Sequence, residues 1–221
     1  SSSSRSVFCK GFVTAFTTSD FYLDVRNPLF KTIFGIFHPR FSTNTSSTWD
    51  KAQPFRMIAH NGEINTIGSN YSLMRAREVD ATSNEWKEDI ELIKPFIDES
   101  LSDSGQFDNA IELLVQSGRK LAHAQEMLMP SAWENNPRFN EKEKAFYQYH
   151  SFLSEPWDGP AAIIASDGKD IIAGLDRSGL RPMRWMVSDR YVLAASEVGI
   201  CPSVEAGAYK TAQLEPGQTI R

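Results

Sequence analysis

Cysteine is scarce: the 221 residues contain two, Cys9 and Cys201. Two thiols make neither a disulfide framework nor a metal site. Both lie in apolar surroundings, VFCKGF and VGICPS, and are expected as buried thiols in a reducing compartment. The four histidines, His38, His60, His123 and His150, show no HExxH-type spacing, and no metal is expected. No apolar run approaches the roughly 18–20 residues that span a bilayer. The opening SSSSRSVFCKGF lacks the continuous apolar stretch of a secretory signal. A basic stripe is also missing. With a net charge of −5, nucleic acid and anionic membrane surfaces are disfavoured as partners. No internal repeat or low-complexity tract follows the opening serines.

What is present is ordinary globular material, 41% apolar and 23% charged, enough for one domain over 1–221 with a sizeable core. Strands are expected at about 6–13, in TIFGIFHPRF (32–41) and in RMIAHNGE (56–63). A helix should start near Asn65 or Thr66, and a helical piece should fill 84–97 up to Pro95. Asp108 is expected to cap a helix carrying Ile111, Leu114 and Val115 on one face. GRKLAHAQEMLM and EKEKAFYQYHSFL read as two more helices. The texture then changes: GPAAIIASD, GKDIIAGLD, MRWMVSD and RYVLAAS are short apolar runs divided by turn signals, hence antiparallel strands. Strands, then helices, then strands make an α+β layered fold rather than alternating βαβ units.

Two segments carry chemistry. HPRFSTNT (38–45) and IAHNGEINT (58–66) each set polar groups at the end of an apolar run, where side chains enter pockets. Arg40 offers a planar fork for a carboxylate. Asn61 and Gly62 offer a side-chain amide and an approachable N–H, the parts of an oxyanion hole. Together they suit acyl transfer on an amino-acid-like substrate. Taken singly, each segment reads equally well as a surface turn with a capping Asn or a salt-bridging Arg.

These segments, with SDSGQFDNAIELL (102–114), GRKLAHAQEMLMPSAWENNP (118–137), AFYQYHSFLSEPWDGPAAIIASDG (145–168), LDRSGLRPMRW (175–185) and ASEVG (195–199), closely resemble the class II glutamine amidotransferase domain of glutamate synthases. The likeness covers roughly residues 5–221. It implies the four-layer αββα sandwich of N-terminal-nucleophile hydrolases, with a helical insert. It also implies that 1–221 is a partial domain, lacking its first strands. Pro39 departs from the pattern, which has a small residue before the arginine.

The resemblance assigns roles. Arg40 would hold the α-carboxylate of L-glutamine, assisted by the Ser42 and Thr43 hydroxyls. Asp103 would pair with its ammonium, although by itself it also reads as a turn cap. Asn61 and Gly62 would form the oxyanion hole. His60 is expected to pack around the pocket rather than act as a base, and Glu63 to cap the following helix. Asp176, Arg177, Arg181 and Glu197 are expected near the pocket in a structural ion network. The family nucleophile is an N-terminal Cys whose own amine takes the thiol proton, nearly isoenergetically, since the groups titrate near 7.7–8.0 and about 8.5. Cys9, preceded by eight residues, cannot replace it, and Ser1 is a poor substitute. The chain is therefore expected to be catalytically inactive as it stands.

Three functions follow from this likeness. The first is the glutaminase part of glutamate synthase, delivering ammonia for reductive glutamate synthesis from 2-oxoglutarate. The second is a non-catalytic glutamine- or glutamate-binding module. The third is another class II amidotransferase, disfavoured by EPWDGPAA and the helical insert. In the first, the remaining domains of the parent, a reductant-supplying subunit or ferredoxin, FMN and an iron–sulfur cluster are implied, none of the cofactors within this domain. The setting would be cytoplasm or plastid.

Overall fold

Strand pairing splits the chain into two antiparallel sheets. The structure, a computed structural model, describes residues 5–41 and 46–221. In chain order its elements are α1 (Thr18–Phe21), β1 (Ile58–Gly62), α2 (Ile67–Glu78), α3 (Asp103–Gln116), α4 (Leu121–Leu128), α5 (Glu141–Ser151), β2 (Ala161–Ser166), β3 (Ile171–Leu175), β4 (Arg184–Ser188), β5 (Val192–Ala195), α6 (Pro202–Ala206), β6 (Ala208–Gln213) and β7 (Thr219–Ile220). The sheets are ordered β1-β2-β3-β7 and β5-β4-β6.

The two-residue period of a strand explains the layering. On β2, Ala161, Ile163 and Ala165 join a first core with Phe107, Ile111, Leu121 and Leu128 of α3 and α4 and Met74 of α2. Ala162 and Ile164 point the other way. They join Ala173 and Leu175 of β3 in a second core, closed by Trp185 and Ala194 of the second sheet and by Met183 and Leu214, which flank its strands β4 and β6. Helices therefore cover one face of the first sheet and the second sheet covers the other. The single-turn α6 contacts β4. This is the expected α+β sandwich.

The expected strands at 6–13 and 32–41 do not form; among the described residues, 5–41 contains no strand. A strand exists only with a ladder partner. The free edge of β1 is instead occupied by the Gln53 amide, whose Nε2 donates to the His60 carbonyl (3.0 Å) while its Oε1 accepts the His60 N–H (2.6 Å). Apolar side chains in 5–41 are left in water, Ile33 being 96% and Phe16 94% exposed.

Other expectations change in detail. The long helix begins at Asp103, not Asp108, because the Ser102 hydroxyl accepts the Gly105 N–H (3.2 Å) as its cap. The piece at 84–97 is a 3₁₀ turn over Lys87–Ile93. Thr66 precedes α2 without a side-chain capping bond, and Glu63 is exposed and caps nothing. Cys9 and Cys201 are free thiols, half-buried rather than buried.

Candidate active site

One helix grips the first strand at three points. From α3, the Asp108 carboxylate accepts the N–H groups of Arg56 (3.2 Å), Met57 (2.8 Å) and Ile58 (2.9 Å) where the chain enters β1. Midway, the Ser104 hydroxyl meets the Nδ1 of His60 at 2.6 Å. At the exit, Oδ2 of Asp103 accepts the Ile64 N–H at 2.8 Å, and its Oδ1 receives the Ser104 hydroxyl at 3.3 Å. Ser104 and Asp108, four residues apart, share one face of the helix, and Asp103 reaches the same strand from the helix's first position.

The exit turn is locked from the opposite side by residues 157–160. Gly62 has φ +145°, and a Cβ there would overlap the Pro160 carbonyl oxygen. Gly159 has φ +154°, and a Cβ there would overlap the Glu63 carbonyl oxygen. The 63–65 backbone also donates to the opposing one, Glu63 N–H to the Pro160 carbonyl (3.0 Å) and Asn65 N–H to the Asp158 carbonyl (2.7 Å). Only glycine permits so close an approach. Behind this contact, Trp157 is buried against Phe107, ring centroids 5.6 Å apart. AHNGEINT and EPWDGPAA are thus two halves of one structure.

LDRSG completes it. The buried Asp176 carboxylate accepts the Ala161 N–H (2.9 Å) together with the Ser178 N–H (2.8 Å) and hydroxyl. Arg177 forms an ion pair with Asp158. The expected ion network therefore splits: Asp176 pins backbone, Arg177 braces residue 158, and Arg181 and Glu197 are exposed without an ion pair among the described residues.

The electrostatics centre on His60. Burial drives its pKa down to about 4; Asp103 pulls upward, and His38 and Arg181 push down. The ring is therefore neutral near pH 7. Its Nε2 has no partner among the described residues. His38 is also lowered, by burial, although backbone groups of Arg40 and His60 favour its charged form. The Arg40 N–H donates weakly to His38 Nδ1 (3.4 Å), and the Arg40 side chain is exposed.

The sequence-derived residues accordingly converge in part. HPR lies beside the backbone of β1, and Asp103 abuts the turn that follows Asn61 and Gly62. The Asn61 amide is half-buried and makes no side-chain hydrogen bond among the described residues, so both its donor and acceptor remain free. Ser42 and Thr43 lie outside the described residues. Sequence reasoning missed Ser104, Asp108, Gln53 and the Gly159–Pro160 wall. A polar i, i+4 pair in a helix whose other buried positions are largely apolar was the available signal for the first two. Among the described residues no group of three His, Cys, Asp or Glu is arranged to hold a metal. With two cysteines the chain does not fit an iron–sulfur cluster, which takes about four thiolates.

Comparison with known proteins adds the family context. The family described as class-II glutamine amidotransferases matches residues 1–221. The chain is 44% identical over 219 residues to the glutamate synthase [NADPH] large chain of Bacillus subtilis (strain 168). It is 45% identical over 222 residues to the chloroplastic ferredoxin-dependent glutamate synthase of Oryza sativa subsp. japonica. Each alignment covers 99% of this chain and 14% of the relative, so the chain spans about one-seventh of their length. Among solved structures, the glutamine phosphoribosylpyrophosphate amidotransferase from B. subtilis aligns with a TM-score of 0.43 at 17% identity. That alignment covers 82% of this chain and 31% of the other, a likeness too slight to argue from.

Proposed function

The chain belongs to the class II glutamine amidotransferases, and on that premise we propose that it is the glutamine-hydrolysing domain of a glutamate synthase. In this reading Arg40, with Ser42 and Thr43, takes the substrate α-carboxylate, and Asp103 takes the α-ammonium. Two of the Asp103 lone-pair directions are used by Ile64 N–H and the Ser104 hydroxyl, and the carboxylate has capacity for more. The side-chain carbonyl of glutamine lies against the Asn61 amide and the Gly62 N–H. When a thiolate attacks that carbon, the oxygen gains charge and those donors stabilise it; one such donor contributes about 2.7–4 kcal/mol to the barrier. Collapse of the adduct breaks the C–N bond as the nitrogen takes up the proton given up by the thiol, so ammonia leaves, and water then cleaves the remaining thioester to release L-glutamate and the thiol.

The observation that carries this reading is the unengaged Asn61 amide at the end of β1. It is held by a strand, a helix and a glycine-locked wall that fix its backbone. A polar group left free on an immobilised backbone suits preorganised stabilisation of charge. We assign no nucleophile within residues 1–221. Among the described residues, neither Cys9 nor Cys201 hydrogen-bonds to the Asn61 cradle. In this reading neither Cys9 nor Cys201 is the nucleophile.

The released ammonia would serve reductive glutamate synthesis from 2-oxoglutarate. The electrons would come from NADPH or ferredoxin, the donors in the relatives' names, through FMN and an iron–sulfur cluster held outside these residues. No described helix is long and apolar enough to cross a membrane. We place the protein in the cytoplasm or, as with the chloroplastic relatives, in a plastid.

The same free amide also favours a second reading, a domain that binds glutamine or glutamate without hydrolysing it. Glutamine turnover by the longer protein, with Arg40→Ala and Asp103→Ala variants, separates the two. Each variant should raise KM by at least about tenfold, the loss of one charge-assisted contact. Near-normal kinetics in both would move the pocket elsewhere, and binding without turnover in the parent would select the second reading.

A further inference from the structure

We propose that a second cavity, within the helical layer and sharing no lining residue with the Asn61 cradle, binds a small monocarboxylate on an apolar chain. The cavity holds about 410 Å³ and is bounded by α2, α3, α4 and the 81–96 connection. Met74, Ile90, Phe96, Leu113, Leu114 and Met127 make its walls apolar. That volume is within the usual range for small-ligand sites and accommodates a chain of about eight to ten carbons.

The polar part of the lining decides the head group. Arg77 is already neutralised by a two-point contact with Glu155 (3.0 and 2.5 Å). Arg119 lines the cavity, is half-buried, and has no ion-pair partner among the described residues. A partly desolvated guanidinium without a counter-ion favours an anion. Two hydroxyls of the lining point to the same chemistry. Ser83 accepts the N–H groups of Glu85 (3.2 Å) and Trp86 (3.3 Å), and Ser117 accepts the Trp86 indole N–H (3.2 Å). Having accepted, each has a proton left to donate. Two donors and a cation ask for an acceptor-only group, and the walls ask for hydrocarbon behind it. Glu85, the acidic residue among the lining side chains, is exposed and forms no ion pair, so it does not occupy Arg119. It also disfavours a dianion, which is why a single carboxylate fits best.

Titration calorimetry of the full chain with octanoate, octanol and octylamine tests this, with Trp86 fluorescence as a second readout. Octanoate should bind at one saturable site, and the alcohol and the amine at least about tenfold more weakly. Arg119→Gln should weaken octanoate about tenfold and leave octanol unchanged. Leu113→Trp should fill the cavity and remove binding of both. Asn61→Ala should leave octanoate affinity unchanged, which separates this site from the cradle. Absence of saturable octanoate binding, equal binding of octanol, or an Arg119→Gln variant that binds octanoate normally would overturn the proposal. Should Leu113→Trp fail to fold by circular dichroism, the ligand series and Arg119→Gln decide alone.

Discussion

Residues 58–66 follow a short apolar run and residues 5–41 are rich in apolar side chains, yet the chain treats the two in opposite ways. The first is bound along its whole length. Asp108, Ser104 and Asp103 hold one side, β2 pairs through Asn61 with Ala162 and Gly62 with Ala161, and Pro160 closes against the turn. The second has short turns, a four-residue helix, and a few aromatic contacts such as Phe12 on Phe41 (5.1 Å) and Phe12 on Trp49 (5.2 Å). Hydrophobicity alone therefore does not make order; satisfied backbone does. The free amide proposed for catalysis sits in the region whose backbone is held from both sides.

The comparison breaks most sharply at Gly62. Gly62→Ala puts a methyl group onto the Pro160 carbonyl at a φ that alanine avoids, and should cost more than about 4 kcal/mol or prevent folding. Urea denaturation measures this. A loss under about 1 kcal/mol would show that the two backbones are not locked.

Next comes pH. Burial lifts Asp108 to about 6 despite its three N–H partners, whereas burial lowers His60 to about 4. A raised carboxylate makes the folded state the better proton binder, so its contribution falls as pH rises from about 4 to 6. A lowered histidine makes the unfolded state the better binder, so its contribution is lost as pH falls through the same window from about 6.5. Each effect is on the order of 3 kcal/mol, and they oppose, so the sum of these two contributions is nearly flat. Asp108→Asn should unmask a stability that climbs between pH 4 and 6.5. His60→Gln should unmask one that declines. Identical slopes in both variants would rule out the compensation.

How much of this could be read from residues alone follows from range. The apolar runs at 161–195 gave four strands because a strand's period is local, and NG in AHNGEINT marked the turn. α6, β6 and the two-residue β7 carry too little pattern to be seen. The apolar 32–41 reads as a strand, but a ladder needs a partner, and Gln53 occupies the adjacent edge. Asp108 before an apolar run looks like a cap; its actual partners are some fifty residues away. Asn61 and Gly62 were legible as chemistry, whereas the glycine interlock between 62 and 159 joins residues nearly a hundred apart.

The smallest effect should come from the loosely held region. Ile33→Ser, at a fully exposed site, should shift stability by no more than about 0.5 kcal/mol while reducing self-association measured by light scattering. A loss above about 2 kcal/mol would mean that Ile33 is covered.

The account turns on Asn61. Steady-state glutamine hydrolysis by the longer protein carrying Asn61→Ala should show kcat lowered about 100-fold or more, with KM within about threefold of the unsubstituted enzyme. An unchanged kcat with a raised KM would make Asn61 a ground-state contact and contradict the proposed cradle.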